Sequence, residues 1–156
     1  MTARPNLSSI PAAGITVDGI VDVLGGKSIV VGRIVSATNA DALKGQALER
    51  DGAGKVKTAA ANVTAANFAG VAVSSAVAGD TISVLRQGIA RMVVHASSSV
   101  IAVGDQVAVY AIGEVCKLGD NSNTNAIGYV AASDGANPAL VDTFVDVEIN
   151  KLGALV

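Results

Sequence analysis

Gly45 is followed nine residues later by Gly54-Lys55-Val56-Lys57, and Gly104 is followed nine residues later by Gly113-Glu114-Val115-Cys116. Each frame then reaches a second glycine in an apolar run, Phe68-Ala69-Gly70-Val71-Ala72 in one copy and Ala126-Ile127-Gly128-Tyr129-Val130 in the other, 16 and 15 residues past the turn glycine. After a loop each copy enters a strand led by aspartate, Asp80-Thr81-Ile82-Ser83-Val84 and Asp142-Thr143-Phe144-Val145-Asp146-Val147. The repeat therefore spans about residues 45–86 and 104–149. Two copies are too few for a solenoid and suit a pseudo-symmetric pair of sheets that cover each other. Gly54 and Gly113 read as hairpin-turn residues, where positive φ is cheap only for glycine. Gly70 and Gly128 interrupt strands, which needs a bulge or a close backbone approach to justify it; both read as bends that let the sheet curl over.

Outward from this frame the signal stays β. Ile29-Val30-Val31-Gly32-Arg33-Ile34-Val35 is rich in β-branched residues, and further strands are expected at 45–50, 55–59, 67–75, 80–86, 88–95, 105–111, 114–118, 126–132 and 142–150. In Thr81–Leu85, Ile82 and Val84 face one side while Thr81, Ser83 and Leu85 face the other. Short strands at such regular spacing predict an all-β fold, a small antiparallel barrel or sandwich built from the two hairpin units. Pro5 and Pro11 remove periodicity from residues 1–14, which read as an extended N-terminal arm preceding a single β domain over 15–156. Residues 15–24 are ambiguous between a short helix and a strand.

With 156 residues the chain can bury a core without disulfides or metals. It is 51% hydrophobic but only 3% aromatic, so that core is made of Val, Ala, Ile and Leu. Charged residues make up 15%, against about 25% in an ordinary soluble domain, and the net charge is −2. A surface of such low charge suits a protein that sits against partners. It argues against nucleic-acid binding, which needs a clustered basic face. Lys44, Arg50, Lys55 and Lys57 are the densest basic stretch, but Glu49 and Asp51 interleave them, so a solvated hairpin is expected. No 18-residue apolar run and no signal-peptide layout is present, so neither a membrane span nor secretion is expected.

No residue pattern predicts catalysis, a metal or a cofactor. Cys116 is the only cysteine and His95 the only histidine, and His95 closes an apolar strand as a structural histidine would. Gly25-Gly26-Lys27-Ser28 resembles the end of a phosphate-binding loop, but Val21 stands where the first glycine is required. Asp120-Asn121-Ser122-Asn123-Thr124-Asn125 is oxygen-rich, yet Asn125 and Ala131 replace the glycine and glutamate of a calcium loop. Nearly every acid elsewhere falls at a turn or on an exposed strand position, where paired carboxylates for acid–base work are not expected. Asn62-Val63-Thr64 matches a glycosylation acceptor that means nothing in an unsecreted chain. Tyr110, Tyr129, Phe68 and Phe144 are the only large rings, expected in the core, with anchoring of an interface as the alternative.

From Ile29 to Ile149 the order of these elements resembles the capsid cement, or head-decoration, proteins of tailed bacteriophages. The matching pieces are Val31–Val35, Phe68–Val73, Gly79–Val84 with Gly88-Ile89-Ala90, Val103–Val107, Ile127–Val130 and the strand Thr143–Ile149. The resemblance implies a non-enzymatic structural protein made in the host bacterial cytoplasm. It would bind the outside of an assembled head and tie major capsid protein subunits together. It also implies a homo-oligomer, a trimer in preference to a dimer. The arm is then the expected contact, through Arg4, Pro5, Leu7, Ile10 and Pro11. A tail- or fibre-associated β module is the nearest alternative. A small ligand-binding barrel is the more distant one, since it needs a concave pocket with convergent polar groups.

Overall fold

The computed structural model describes residues 28–37, 40–133 and 144–150. The arm at 1–14, the segment 15–24 and the beginning of the last expected strand lie outside them. The described residues form nine strands: β1 Ile29–Val35, β2 Ala47–Arg50, β3 Lys55–Thr58, β4 Phe68–Ala72, β5 Thr81–Val93, β6 Gln106–Ala111, β7 Glu114–Lys117, β8 Ala126–Ser133 and β9 Phe144–Asn150. Among the described residues the only helical turn is a 3-10 turn at Asp120–Ser122. The fold is all-β, as the alternation predicted. One expectation is corrected: the strands expected at 80–86 and 88–95 are a single 13-residue strand, β5. Gly88 lets the chain continue there at φ +130°, where an added Cβ would meet the Ser28 hydroxyl at 2.7 Å.

β1, β3, β2, β4 and the first half of β5 hydrogen-bond in that order, and β1 pairs back onto β5, closing a five-stranded barrel. The second half of β5 opens another circuit, β5–β9–β8–β6–β7, which a parallel bridge between Val94 and Val115 brings round. The two lobes thus share one strand. Each is antiparallel except at one place, where Val35 of β1 pairs in parallel with Val56 of β3 in lobe 1 and Val94 bridges in parallel to Val115 of β7 in lobe 2.

The registers of the two lobes coincide. Val31, Gly32, Arg33 and Ile34 face Val84, Ser83, Ile82 and Thr81; Ala90, Arg91, Met92 and Val93 face Val147, Asp146, Val145 and Phe144. Leu48 pairs with Thr58 and Gly70, and Val107 with Lys117 and Gly128. Even the register shift recurs, between Leu48 and Glu49 in one lobe and between Val107 and Ala108 in the other. The structural repeat is therefore longer than the glycine frame and includes the strand before it.

This correspondence explains the strand glycines. A Cβ on Gly70 would run into the Leu85 carbonyl and lie 2.7 Å from Val84 Cγ1. One on Gly128 would run into the Glu148 carbonyl and lie 2.7 Å from Val147 Cγ1, the matching atoms of lobe 2. At both places the neighbouring backbone occupies the space of a side chain.

Lobe 1 encloses a small core of Val35, Ala42, Leu48, Val56, Ala72, Ile82 and Val84. The larger core fills lobe 2 and continues into the seam between the lobes. There Ala47, Val71 and Leu85, alternating with Leu48, Ala72 and Val84, face outward from lobe 1 and are fully buried. Truncating a side chain such as Leu85 to alanine costs about 2–5 kcal/mol. Hydrogen bonds stitch the seam: Ala47 N–H donates to the Gly113 carbonyl at 2.8 Å and Gly113 N–H to that of Ala59 at 3.1 Å. Asn62 Oδ1 accepts from the Thr124 and Asn125 amides, both at 2.9 Å.

Candidate functional site

The residues that could carry chemistry are held in structural contacts. His95 stacks on Tyr110 with ring centroids 3.8 Å apart, accepts the Ser97 amide at Nδ1, and places Nε2 3.9 Å from Glu114. Cys116 is buried, its thiol contacts Asn123 Nδ2 at 3.5 Å, and burial pushes its pKa up. A thiol kept protonated is a poor nucleophile. Asp120 is the acceptor that orders the 98–99 turn, taking the Ser99 amide at 2.6 Å and the Ser99 hydroxyl at 2.9 Å. Among the described residues no group of three or more His, Cys, Asp or Glu could hold a metal, and no helix is long and apolar enough to cross a membrane.

Of the residues singled out from sequence, Arg4, Pro5, Leu7, Ile10 and Pro11 lie outside the described residues. Gly54 and Gly113 occupy the β2–β3 and β6–β7 turns at φ +72° and +74°. Gly70 and Gly128 lie within β4 and β8. The rings divide: Phe68 is buried and Tyr110 half-buried, whereas Phe144 is 43% and Tyr129 54% exposed. Tyr129 is the lobe-2 counterpart of the buried Val71. Its cross-strand neighbours Gln106 and Glu148 match Ala47 and Leu85. The face that lobe 1 buries in the seam is thus open in lobe 2.

The second surface feature went unseen in the sequence. Lys57 does sit as in a solvated hairpin, 3.3 Å from Glu49 and 3.7 Å from Asp51. Its neighbours Arg50 and Lys55 instead join Arg33 and Arg86 around a cavity of about 310 Å³ at the mouth of lobe 1, floored by Val56 and Ala69. No carboxylate lines it among the described residues. Period-two alternation could have signalled this, because Arg33 shares a side with Val31 and Val35, and Arg86 with Ile82 and Val84.

A closed five-stranded barrel that shares β5 with a second circuit of strands, an open sheet face and a cationic mouth define an all-β protein with two exposed surface features. The chain belongs to the phage cement protein family, whose sequence profile matches residues 53–145, from the β2–β3 turn to the beginning of β9. It is thereby a structural, capsid-associated phage protein. No curated protein matches the chain. Among solved structures the fold is similar to the head fiber gp8.5 N base of bacteriophage phi29, with TM-score 0.55 and 18% identity over 80% of this chain and 95% of that one.

Proposed function

We propose that this chain decorates the outer surface of an assembled phage head and cements adjacent major capsid protein subunits. The single observation that carries the reading is the family match across 53–145, which spans most of both lobes. On this reading it acts in the virion after synthesis in the host cytoplasm, as a homo-oligomer, a trimer in preference to a dimer. Residues 15–156 form one β domain, and the arm 1–14 docks through Arg4, Pro5, Leu7, Ile10 and Pro11 on a neighbouring subunit. Low surface charge and the open Tyr129 face suit a part whose affinity is summed over many copies. Heads assembled without the protein are expected to lose integrity at lower temperature than heads carrying it; equal stability refutes the cement role. Light scattering behind gel filtration reads the oligomeric state, and removal of residues 1–14 should weaken head binding while leaving the β spectrum intact.

The likeness to a head-fibre base favours a second reading, in which the two lobes seat a longer appendage on the head. Electron microscopy distinguishes them. A cement protein covers the shell in many copies between coat subunits, whereas a fibre base gives isolated projections.

A further inference from the structure

The mouth of lobe 1 is a place where the two lobes depart from a shared design. Arg33, Arg50 and Arg86 correspond in strand position to Met92, Val109 and Ile149, and the floor residues Val56 and Ala69 to Val115 and Ile127. In lobe 2 all five are buried and plug the barrel end. The same fold therefore has an apolar solution for this space, and lobe 1 replaces its three plugging side chains with guanidinium groups. Lys55 adds a fourth cation. Placing like charges around one concavity is unfavourable unless an anion joins them, and a concave wall with an apolar floor focuses their field. The hairpin's own acids are engaged elsewhere, Glu49 and Asp51 on Lys57. Arg33 Nη1 donates to the Gly32 carbonyl at 2.8 Å. The chain is net acidic at −2, so general basicity does not account for the cluster.

We propose that this mouth is a receptor for an acidic segment of a partner protein, whose Asp or Glu carboxylates enter between Arg33, Arg50 and Arg86. Planar guanidinium forks accept carboxylates in paired hydrogen bonds. The cavity has room for about ten water molecules, more than a single bare anion fills. A nucleic-acid strand would call for a basic track and stacking rings, and no aromatic side chain lines the mouth. The inference rests on the proposed cement function only for the identity of the partner, the shell on which the protein sits.

The test is titration of the full chain with an acetylated, amidated hexaglutamate peptide at low salt. Binding is expected to weaken as salt rises and to fall at least tenfold in the Arg50→Gln/Arg86→Gln variant, with Lys44→Gln unchanged. A second variant, Arg33→Met/Arg50→Val/Arg86→Ile, copies the plug of lobe 2; it should lose the peptide while unfolding at a temperature no lower than wild type. Should both fail to fold, Lys55→Gln on the exposed rim is expected to weaken binding about threefold. Equal binding of hexaglutamine, binding indifferent to the arginines, or binding of inorganic phosphate or a DNA oligonucleotide without the peptide overturns the proposal. Binding to bare heads is measured separately. If wild type binds heads but not the peptide, the inference falls and the cement function stands; if it binds the peptide but not heads, the cement function falls and the acidic-segment receptor stands.

Discussion

The turns at Gly54 and Gly113 hold the same place in their lobes and nearly the same backbone angle, +72° and +74°, but among the described residues only Gly113 is crowded where a Cβ would stand. A Cβ on Gly54 would meet nothing within 4 Å, whereas one on Gly113 would lie 2.7 Å from Gln46 Cβ and 2.8 Å from the Ala47 carbonyl oxygen. The turn of lobe 2 is pressed into the outer face of lobe 1; the turn of lobe 1 rims the cationic mouth and is held at its carbonyl side, where Gly54 accepts the Ile34 amide at 3.1 Å. Val71 and Tyr129 differ in the matching sense, buried and open. The lobes pack head to tail, so one copy of each contacting surface is buried inside the chain and the other stays exposed among the described residues. Duplicated units diverge here according to what each surface meets, while the registers that make the barrel stay the same.

The places where the lobes agree should be the least tolerant. Gly70→Val and Gly128→Val each drive a side chain into a neighbouring carbonyl, and each is expected to cost ~3 kcal/mol or more. Gly70→Val should be the worse because φ is +139° there. Denaturant unfolding monitored by circular dichroism reads this, and near-wild-type stability of either variant would break the equivalence of β4 and β8.

Where the lobes differ, paired substitutions isolate the difference. Gly54→Ala and Gly113→Ala share the left-handed backbone penalty of about 1 kcal/mol. Gly113→Ala should cost ~2 kcal/mol beyond it, since Gln46 and Ala47 must move. Equal losses would mean that the seam yields freely.

Asn62 and Asn121 form a milder pair, both left-handed at φ 54° and 51°. Asn121 is exposed, while Asn62 takes two amides of the other lobe. Asn62→Ala is expected to exceed Asn121→Ala by about 1–2 kcal/mol, the value of two partly exposed amide hydrogen bonds. Hydrogen exchange at Thr124 and Asn125 should accelerate in the first variant alone.

Much of this architecture could be read from residue order. Alternation in Thr81–Leu85 located a strand and its two faces, and the spaced glycines located a duplicated unit. The parallel pairings, β1 with β3 and Val94 with Val115, could not be read, because side-chain period says which face a residue takes and nothing about which strand lies beside it. The break expected at Gln87 failed for a related reason: the strand runs on because Gln87 and Gly88 pair with Asn150 and Ile149 of β9, a neighbour that side-chain period does not reveal. The mouth was hidden by locality. Arg50 and Lys55 sit among Glu49, Asp51 and Lys57 in sequence, but pairing of β1 with β5 brings them Arg33 and Arg86 from distant strands.

The smallest expected effect lies in the turn that precedes each hairpin. Gln46 Oε1 accepts the Leu43 amide at 2.8 Å, and Asp105 Oδ2 accepts the Ala102 amide at the same 2.8 Å in the matching turn. Only the second acceptor is ionisable. The Ala102 amide, then Lys117 at 2.9 Å, hold the Asp105 carboxyl below its ordinary pKa. A carboxyl whose pKa is depressed on folding contributes stability that is complete above its unfolded value and is lost as pH falls through its folded value. The turn of lobe 2 therefore weakens in acid and that of lobe 1 does not. Asp105→Gln, which copies lobe 1, is expected to remove this component, worth less than about 1 kcal/mol because Lys117 is partly exposed. Thermal unfolding at about pH 7 and about pH 2.5 should show a smaller acid-induced drop in Tm for the variant, the other carboxylates titrating alike in both proteins. Identical drops would mean that Asp105 serves only as a turn former, interchangeable with its glutamine counterpart.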